Sequence, residues 1–145
     1  MAVQVELSRI LIRELNDYQI IELREAQDGA PPSDNGNEAR SFPIVIGLPE
    51  AQAIERRLKG MQVKRPQTHD LMANIIVDLG GTLESITITD LTEQTFYASL
   101  DVRRHDGELI HVDSRPSDAI ALGVAGGVPI YVEEHVFDSA AEDLL

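Results

Sequence analysis

Two stretches of this chain begin alike: Arg65-Pro66-Gln67-Thr68-His69-Asp70-Leu71 and Arg115-Pro116-Ser117-Asp118-Ala119-Ile120. Each places an arginine, a hydroxyl and a carboxylate around a proline that precedes an apolar run. Proline at the first helical position gives up an N–H that has no partner there. Hydroxyl and carboxylate side chains accept from the free N–H groups of the first turn, and negative charge suits that end of the helix dipole. Capping is one reading of both motifs. The other is chemistry: an arginine beside a helix N-terminus makes an anion site, and a neighbouring carboxylate or imidazole can move a proton or hold a metal. On that reading Arg65, Thr68, Arg115 and Ser117 bind phosphate, while His69, Asp70 and Asp118 are the acid, base or water-orienting groups. Asp70 and Asp118, joined by Glu133 and Glu134, would hold a divalent ion such as Mg²⁺ or Mn²⁺, because hard ions prefer oxygen. No organic cofactor is expected. Phosphodiester hydrolysis needs such parts: an activated water, neutralisation of the phosphoryl oxygens and help for the leaving oxygen.

Composition bounds the alternatives. With 145 residues, 43% of them hydrophobic, the chain suits one domain spanning 1–145. It has no cysteine, so it has neither disulfide nor thiolate metal site. No apolar run reaches the roughly 18 residues of a membrane span, and the first residues lack the basic and apolar regions of a signal peptide. A soluble protein of the cytoplasm, without a membrane partner, is expected. The net charge of −13, with Lys59 and Lys64 the two lysines, repels nucleic acid on average, so a polyanion partner would need a local arginine cluster or bound cations. Gly123-Val124-Ala125-Gly126-Gly127 is followed by no Lys-Ser/Thr and is not a phosphate loop. A Gly-x-Ser-x-Gly elbow is missing, and the strands exclude the all-helical frame of His-Asp phosphohydrolases. His105, His111 and His135 have no metal-ligand spacing and are assigned no role.

The elements that must position these residues follow from periodicity. Val3–Leu7 alternates, and Ile10–Arg13 with Gln19–Leu23 around Asn16-Asp17 reads as a hairpin. Residues 28–38 are all turn formers and predict a flexible loop, followed by a strand over Phe42–Ile46. Pro49 with Ala51, Ile54 and Leu58 predicts a helix ending at Gly60, its Glu50, Glu55, Arg56 and Arg57 forming a solvated, salt-bridged side. A second helix starts near Thr68 and stops at Gly80-Gly81. Leu83–Thr89, Thr95–Arg103 and Glu108–Val112, separated by short turns, predict an antiparallel meander. The helix from about Pro116 is apolar all round and should be buried. Val128–Val132 is a last strand, Glu133–Phe137 leads into a short helical tail, and residues 139–145 form the C-terminal tail. The class is α+β: a twisted, mainly antiparallel sheet with about three main helices packed on it.

In that order, Phe42-Pro43-Ile44-Val45-Ile46-Gly47 with a Glu-Ala helix, the two Arg-Pro motifs, Thr95-Phe96-Tyr97-Ala98 and Val128-Pro129-Ile130-Tyr131-Val132-Glu133-Glu134 resemble the bifunctional nuclease domain family. The resemblance covers roughly Val3 to Phe137. It implies a nuclease that hydrolyses phosphodiester bonds in both RNA and DNA. The family's usual turn in the place of residues 28–38 is shorter. Two functions therefore stand as expectations: a metal-assisted nuclease, and a non-catalytic binding or regulatory module whose Arg/Asp motifs cap helices. A homo-oligomer is expected in either case, because small domains commonly pair exposed strand edges.

Overall fold

The computed structural model describes residues 1–26 and 39–143, so the expected loop at 28–38 lies outside the described residues. Alternation at the start of the chain becomes the pleat of β1 (Ala2–Leu11), where buried Val5 sits between exposed Gln4 and Glu6. β2 (Gln19–Glu25) and β3 (Ser41–Ile46) repeat the pattern, burying Ile21, Leu23, Phe42, Ile44 and Ile46 on one face. The expected meander is β4 (Thr82–Thr92), β5 (Thr95–Arg103) and β6 (Leu109–Ser114), antiparallel throughout. β7 (Ile130–Glu133) joins the two halves into a seven-stranded sheet of order β3-β2-β1-β7-β4-β5-β6. It runs antiparallel to β1 and parallel to β4. A parallel pair needs a long crossover, and the chain supplies one through β5, β6 and a helix.

Among the described residues four helices pack on this sheet: the three main ones expected and the helical tail, which runs to Asp143. They are α1 (Leu48–Leu58), α2 (Thr68–Asp78), α3 (Pro116–Gly123) and α4 (Glu134–Asp143). The all-round apolar α3 is buried as expected, with Ala119, Ile120 and Ala121 fully enclosed. Its last residue shows why a glycine ends it: a Cβ on Gly123 would lie 2.6 Å from Ile86 Cδ1 and 3.0 Å from Val128 Cβ. The sheet curls far enough that Phe42 on β3 stacks on Phe96 of β5, with centroids 5.4 Å apart, while Phe137 of α4 meets Phe42 edge-on at 5.3 Å. In contrast, α2 has no fully buried residue, and Leu71, Ile75, Val77 and Leu79 along it are 46% to 76% exposed.

The other face of the sheet carries one buried charge. Asp101 on β5 is 5% exposed and accepts four hydrogen bonds. Ser85 Oγ (2.7 Å) and Thr87 Oγ1 (2.8 Å) donate to Oδ2, and Ser99 Oγ (2.9 Å) donates to Oδ1, which also bonds His111 Nδ1 at 2.7 Å. Burial pushes this carboxyl up, but the bonds from Ser85, His111, Thr87 and Ser99 outweigh it and hold it below the usual carboxylate value. A depressed folded value means stability that is present above the unfolded value, ~4, and lost as pH falls through the folded one. Asp101→Ala is therefore expected to lower the unfolding free energy by about 2–3 kcal/mol at neutral pH, read from urea titration. The gap between wild type and variant should shrink as pH drops below ~4. A gap that stays constant with pH would show that the carboxylate charge is not what holds these strands.

Candidate active site

The two Arg-Pro motifs do different work. In the first, Asp70 is the third residue of α2, and its Oδ2 accepts the backbone N–H of Gln67 at 2.9 Å, which makes it a helix cap. Its other contacts are cationic. The Arg57 guanidinium bonds Oδ1, and Arg56 Nη2 lies 3.0 Å from Oδ2. Arg57 also donates from Nε to the Ala121 carbonyl (2.5 Å) and from Nη2 to that of Leu122 (3.1 Å), so one side chain of α1 grips the end of α3 and the start of α2. Burial raises the Asp70 carboxyl, but the Gln67 N–H and then the two arginines hold it below its ordinary value. Asp70 is thus spent on structure.

In the second motif the carboxylate caps nothing. Asp118 is the third residue of α3, and no side chain caps that helix. Arg115 donates to it instead, from Nε to Oδ2 at 2.8 Å and from Nη2 to Oδ1 at 3.1 Å. His69 Nε2 lies 3.0 Å from Asp118 Oδ1, which ties the second residue of α2 to α3. Glu50, in the first turn of α1, takes a further bond from Arg115 Nη2 at 3.2 Å. Burial raises the Asp118 carboxyl, while the bonds from Arg115 and His69 bring it below the usual value, and Asp118 in turn raises the arginine. Asp118 therefore stays ionised at neutral pH. With the proton on Nε2 directed at Asp118, the imidazole keeps Nδ1 as an acceptor.

These groups line a cleft of about 440 Å³ with Pro49, Gln52, Ala53, Arg56, Gln67 and Thr68. Of the residues singled out by sequence, His69, Asp118, Arg115 and Thr68 come together there. Ser117 lines a second groove that shares Arg115 with the cleft. Arg65 is exposed and forms no side-chain hydrogen bond or ion pair among the described residues. The four carboxylates expected at a metal do not gather. Glu133 lies 3.7 Å from the N-terminal amine and Glu134 pairs with Arg40 at 2.9 Å, and the described residues hold no group of three or more metal-binding side chains. Arg115 and Asp118 are only partly enclosed: the arginine side chain is 63% exposed.

Two residues of the cleft escaped sequence reasoning. Glu50 and Arg56 were read as a solvated helix side, yet Glu50 orients Arg115. The buried Nε and Nη2 of Arg56 have no hydrogen-bond acceptor among the described residues, because Nη2 sits near Asp70 but out of line for a hydrogen bond. A signal did exist: Glu50, Ala53 and Arg56 recur every three residues, so they share one face of α1. That face became a cleft wall because α2 and α3 stand opposite it.

No described helix is long and apolar enough to cross a membrane. Among known proteins, an uncharacterized protein of Mycobacterium tuberculosis is 40% identical over 137 residues, covering 94% of this chain and 75% of that protein. Bifunctional nuclease 1 of Oryza sativa subsp. japonica is 23% identical over 97 residues, 66% of this chain and 29% of its own length. Bifunctional nuclease 1 of Arabidopsis thaliana is 22% identical over 97 residues, 66% of this chain and 30% of its own length. The bifunctional nuclease domain matches residues 33–144, a span that takes in the cleft, both Arg-Pro motifs and every element from β3 onward, and the chain belongs to that family.

Proposed function

We propose that the cleft hydrolyses phosphodiester bonds of RNA and DNA by acid–base chemistry centred on His69. The observation that carries this is the chain Glu50–Arg115–Asp118–His69, assembled from three helix N-termini on one open cleft wall. A salt bridge needed only for stability has no reason to include an oriented imidazole and a half-exposed guanidinium. In this reading Arg115, through the Nη1 that bonds no protein group among the described residues, neutralises the phosphoryl oxygens, and Arg56 in the cleft wall adds its positive field. His69 Nδ1 takes a proton from water as the water oxygen bonds to phosphorus, and Asp118 stabilises the imidazolium. The bridging P–O bond breaks, and the leaving oxygen takes the proton from His69.

The donor set does not fit a divalent metal. Both oxygens of Asp118 already face Arg115, one also faces His69, and Glu50 accepts from the same guanidinium. A cation wedged between two carboxylates occupies the charge that a metal would need. No step here is routed through one.

A second reading, a non-catalytic oligomeric binding or regulatory module, draws support from α2, whose Asp70 is fully spent and whose apolar side chains stand half-exposed. Cleavage assays decide between them. On labelled single- and double-stranded RNA and DNA, His69→Ala and Asp118→Asn are expected to lower kcat/KM by roughly 100-fold or more in variants whose circular dichroism shows them folded at the assay temperature. Cleavage should proceed with chelator as it does with Mg²⁺ or Mn²⁺. Undiminished cleavage by folded His69→Ala would overturn the assignment. Asp70→Ala should act differently, lowering stability by about 2–4 kcal/mol in chemical denaturation because it strands two arginines.

A further inference from the structure

We infer that the second groove is a nucleoside subsite, holding one base of a single-stranded polynucleotide whose phosphate rests on Arg115; this rests on the nuclease reading of the adjoining cleft. The groove encloses about 690 Å³, inside the roughly 300–1,000 Å³ range of small-molecule sites. Two of the six aromatic residues in the chain line it. Tyr18, from the turn between β1 and β2, is 56% exposed and its hydroxyl makes no hydrogen bond among the described residues, whereas Phe96 is fixed by its stack on Phe42. Val45 of β3, 63% exposed, adds branched apolar surface. A nucleobase has flat faces that gain from such surfaces and an edge of donors and acceptors that needs polar partners.

Unspent polar groups for that edge are present. Ser117 is 5% exposed and lines the groove, yet its hydroxyl has no side-chain hydrogen bond among the described residues. The Ser117 hydroxyl itself reaches the solvent of the groove, so it is free to donate or accept there. Gln94 is held there by an uncommon backbone. The β4–β5 turn keeps Glu93 at φ 51° and Gln94 at φ 65°, the left-handed region that such hairpins normally fill with Asn-Gly. Non-glycine residues are uncommon in that region, and where they persist they cluster at functional sites. The result is an amide, able to donate and accept at once, on the groove wall, which is the group that reads an adenine edge bidentately.

Continuity with the cleft names the rest of the ligand. Arg115 lines both cavities, so a phosphate on its free Nη1 is one nucleotide's reach from a base in the groove. A base can enter such a site only after leaving a duplex stack, and single strands should be preferred.

The test titrates the isotope-labelled full chain with the four ribonucleoside 5′-monophosphates and, separately, with inorganic phosphate. Nucleotides are expected to shift the amide signals of Tyr18, Val45, Gln94 and Ser117 saturably, and phosphate alone to shift those around Arg115. Tyr18→Ala should weaken nucleotide binding about tenfold, with Tyr18→Phe close to wild type. Tyr18 is exposed, so neither change threatens the fold. Gln94→Gly suits the left-handed turn and removes the amide; it should keep binding while levelling the preference among bases. Nucleotide shifts confined to the cleft, or Tyr18→Ala binding as wild type, would overturn the subsite. Binding is read without turnover, so cleavage with no response in the groove would overturn the subsite alone. Nucleotides seated in the groove of a chain that never cleaves would overturn the nuclease reading alone.

Discussion

The geometry of the cleft hangs on where the positive charge of Arg57 is compensated. This side chain, 10% exposed, reaches from α1 to the last carbonyls of α3 and to Asp70 at the start of α2. A guanidinium taken out of water is tolerable only when its donors are answered, and here a helix C-terminus and a carboxylate answer them. His69 is the chain neighbour of Asp70, and Asp118 lies one turn before Ala121 and Leu122. Fixing those two anchor points therefore fixes the distance between imidazole and carboxylate. Without the Arg57 contacts, α2 would rest on the His69–Asp118 and Arg56–Asp70 contacts and on its partly buried Met72, Ala73 and Ile76, since it buries no side chain fully.

This division of labour bears on how much was legible in the residues. Strands could be read because the sheet has one dry and one wet face, and alternation such as that around Val5 records which is which. The buried α3 could be read because nothing polar interrupts Ala119 to Val124. The parallel seat of β7 beside β4 could not, since a four-residue strand carries no mark of its neighbours. Among site residues, the two Arg-Pro motifs are nearly interchangeable as strings, yet Asp70 turns inward to cap and to pair while Asp118 turns to an arginine and a histidine. What separates them is the presence of Arg56 and Arg57 opposite one and His69 opposite the other, a tertiary fact. Glu50 and Arg56 were missed for the same reason: a charged helix side looks solvated until another helix faces it.

Charge adds a constraint of its own. On a protein of net charge −13, any polyanion would meet repulsion over most of the surface and attraction only where cations are presented. Arg115 presents such a point in the cleft, where Glu50 and Asp118 balance it without occupying its Nη1. Such a surface disfavours sliding contacts with duplex backbone and leaves productive contact to the few positions where guanidinium groups are presented. The opposite sheet face follows the same economy with reversed sign: Asp101 is neutralised by hydroxyls and an imidazole, not by a free cation.

The place of β7 has a consequence for biosynthesis. The strand formed by residues 130–133 is the middle one of seven, between β1 and β4. While the chain emerges from a ribosome, β1–β3 and β4–β6 can each form by local pairing, but the facing edges of β1 and β4 stay unpaired until residues 130–133 are out. Two open edges of buried-type residues are templates for the wrong partner, including the same edges of a neighbouring nascent chain. Closure by β7 is thus the event that turns two sticky half-sheets into one sheet, and it waits until both halves have been made.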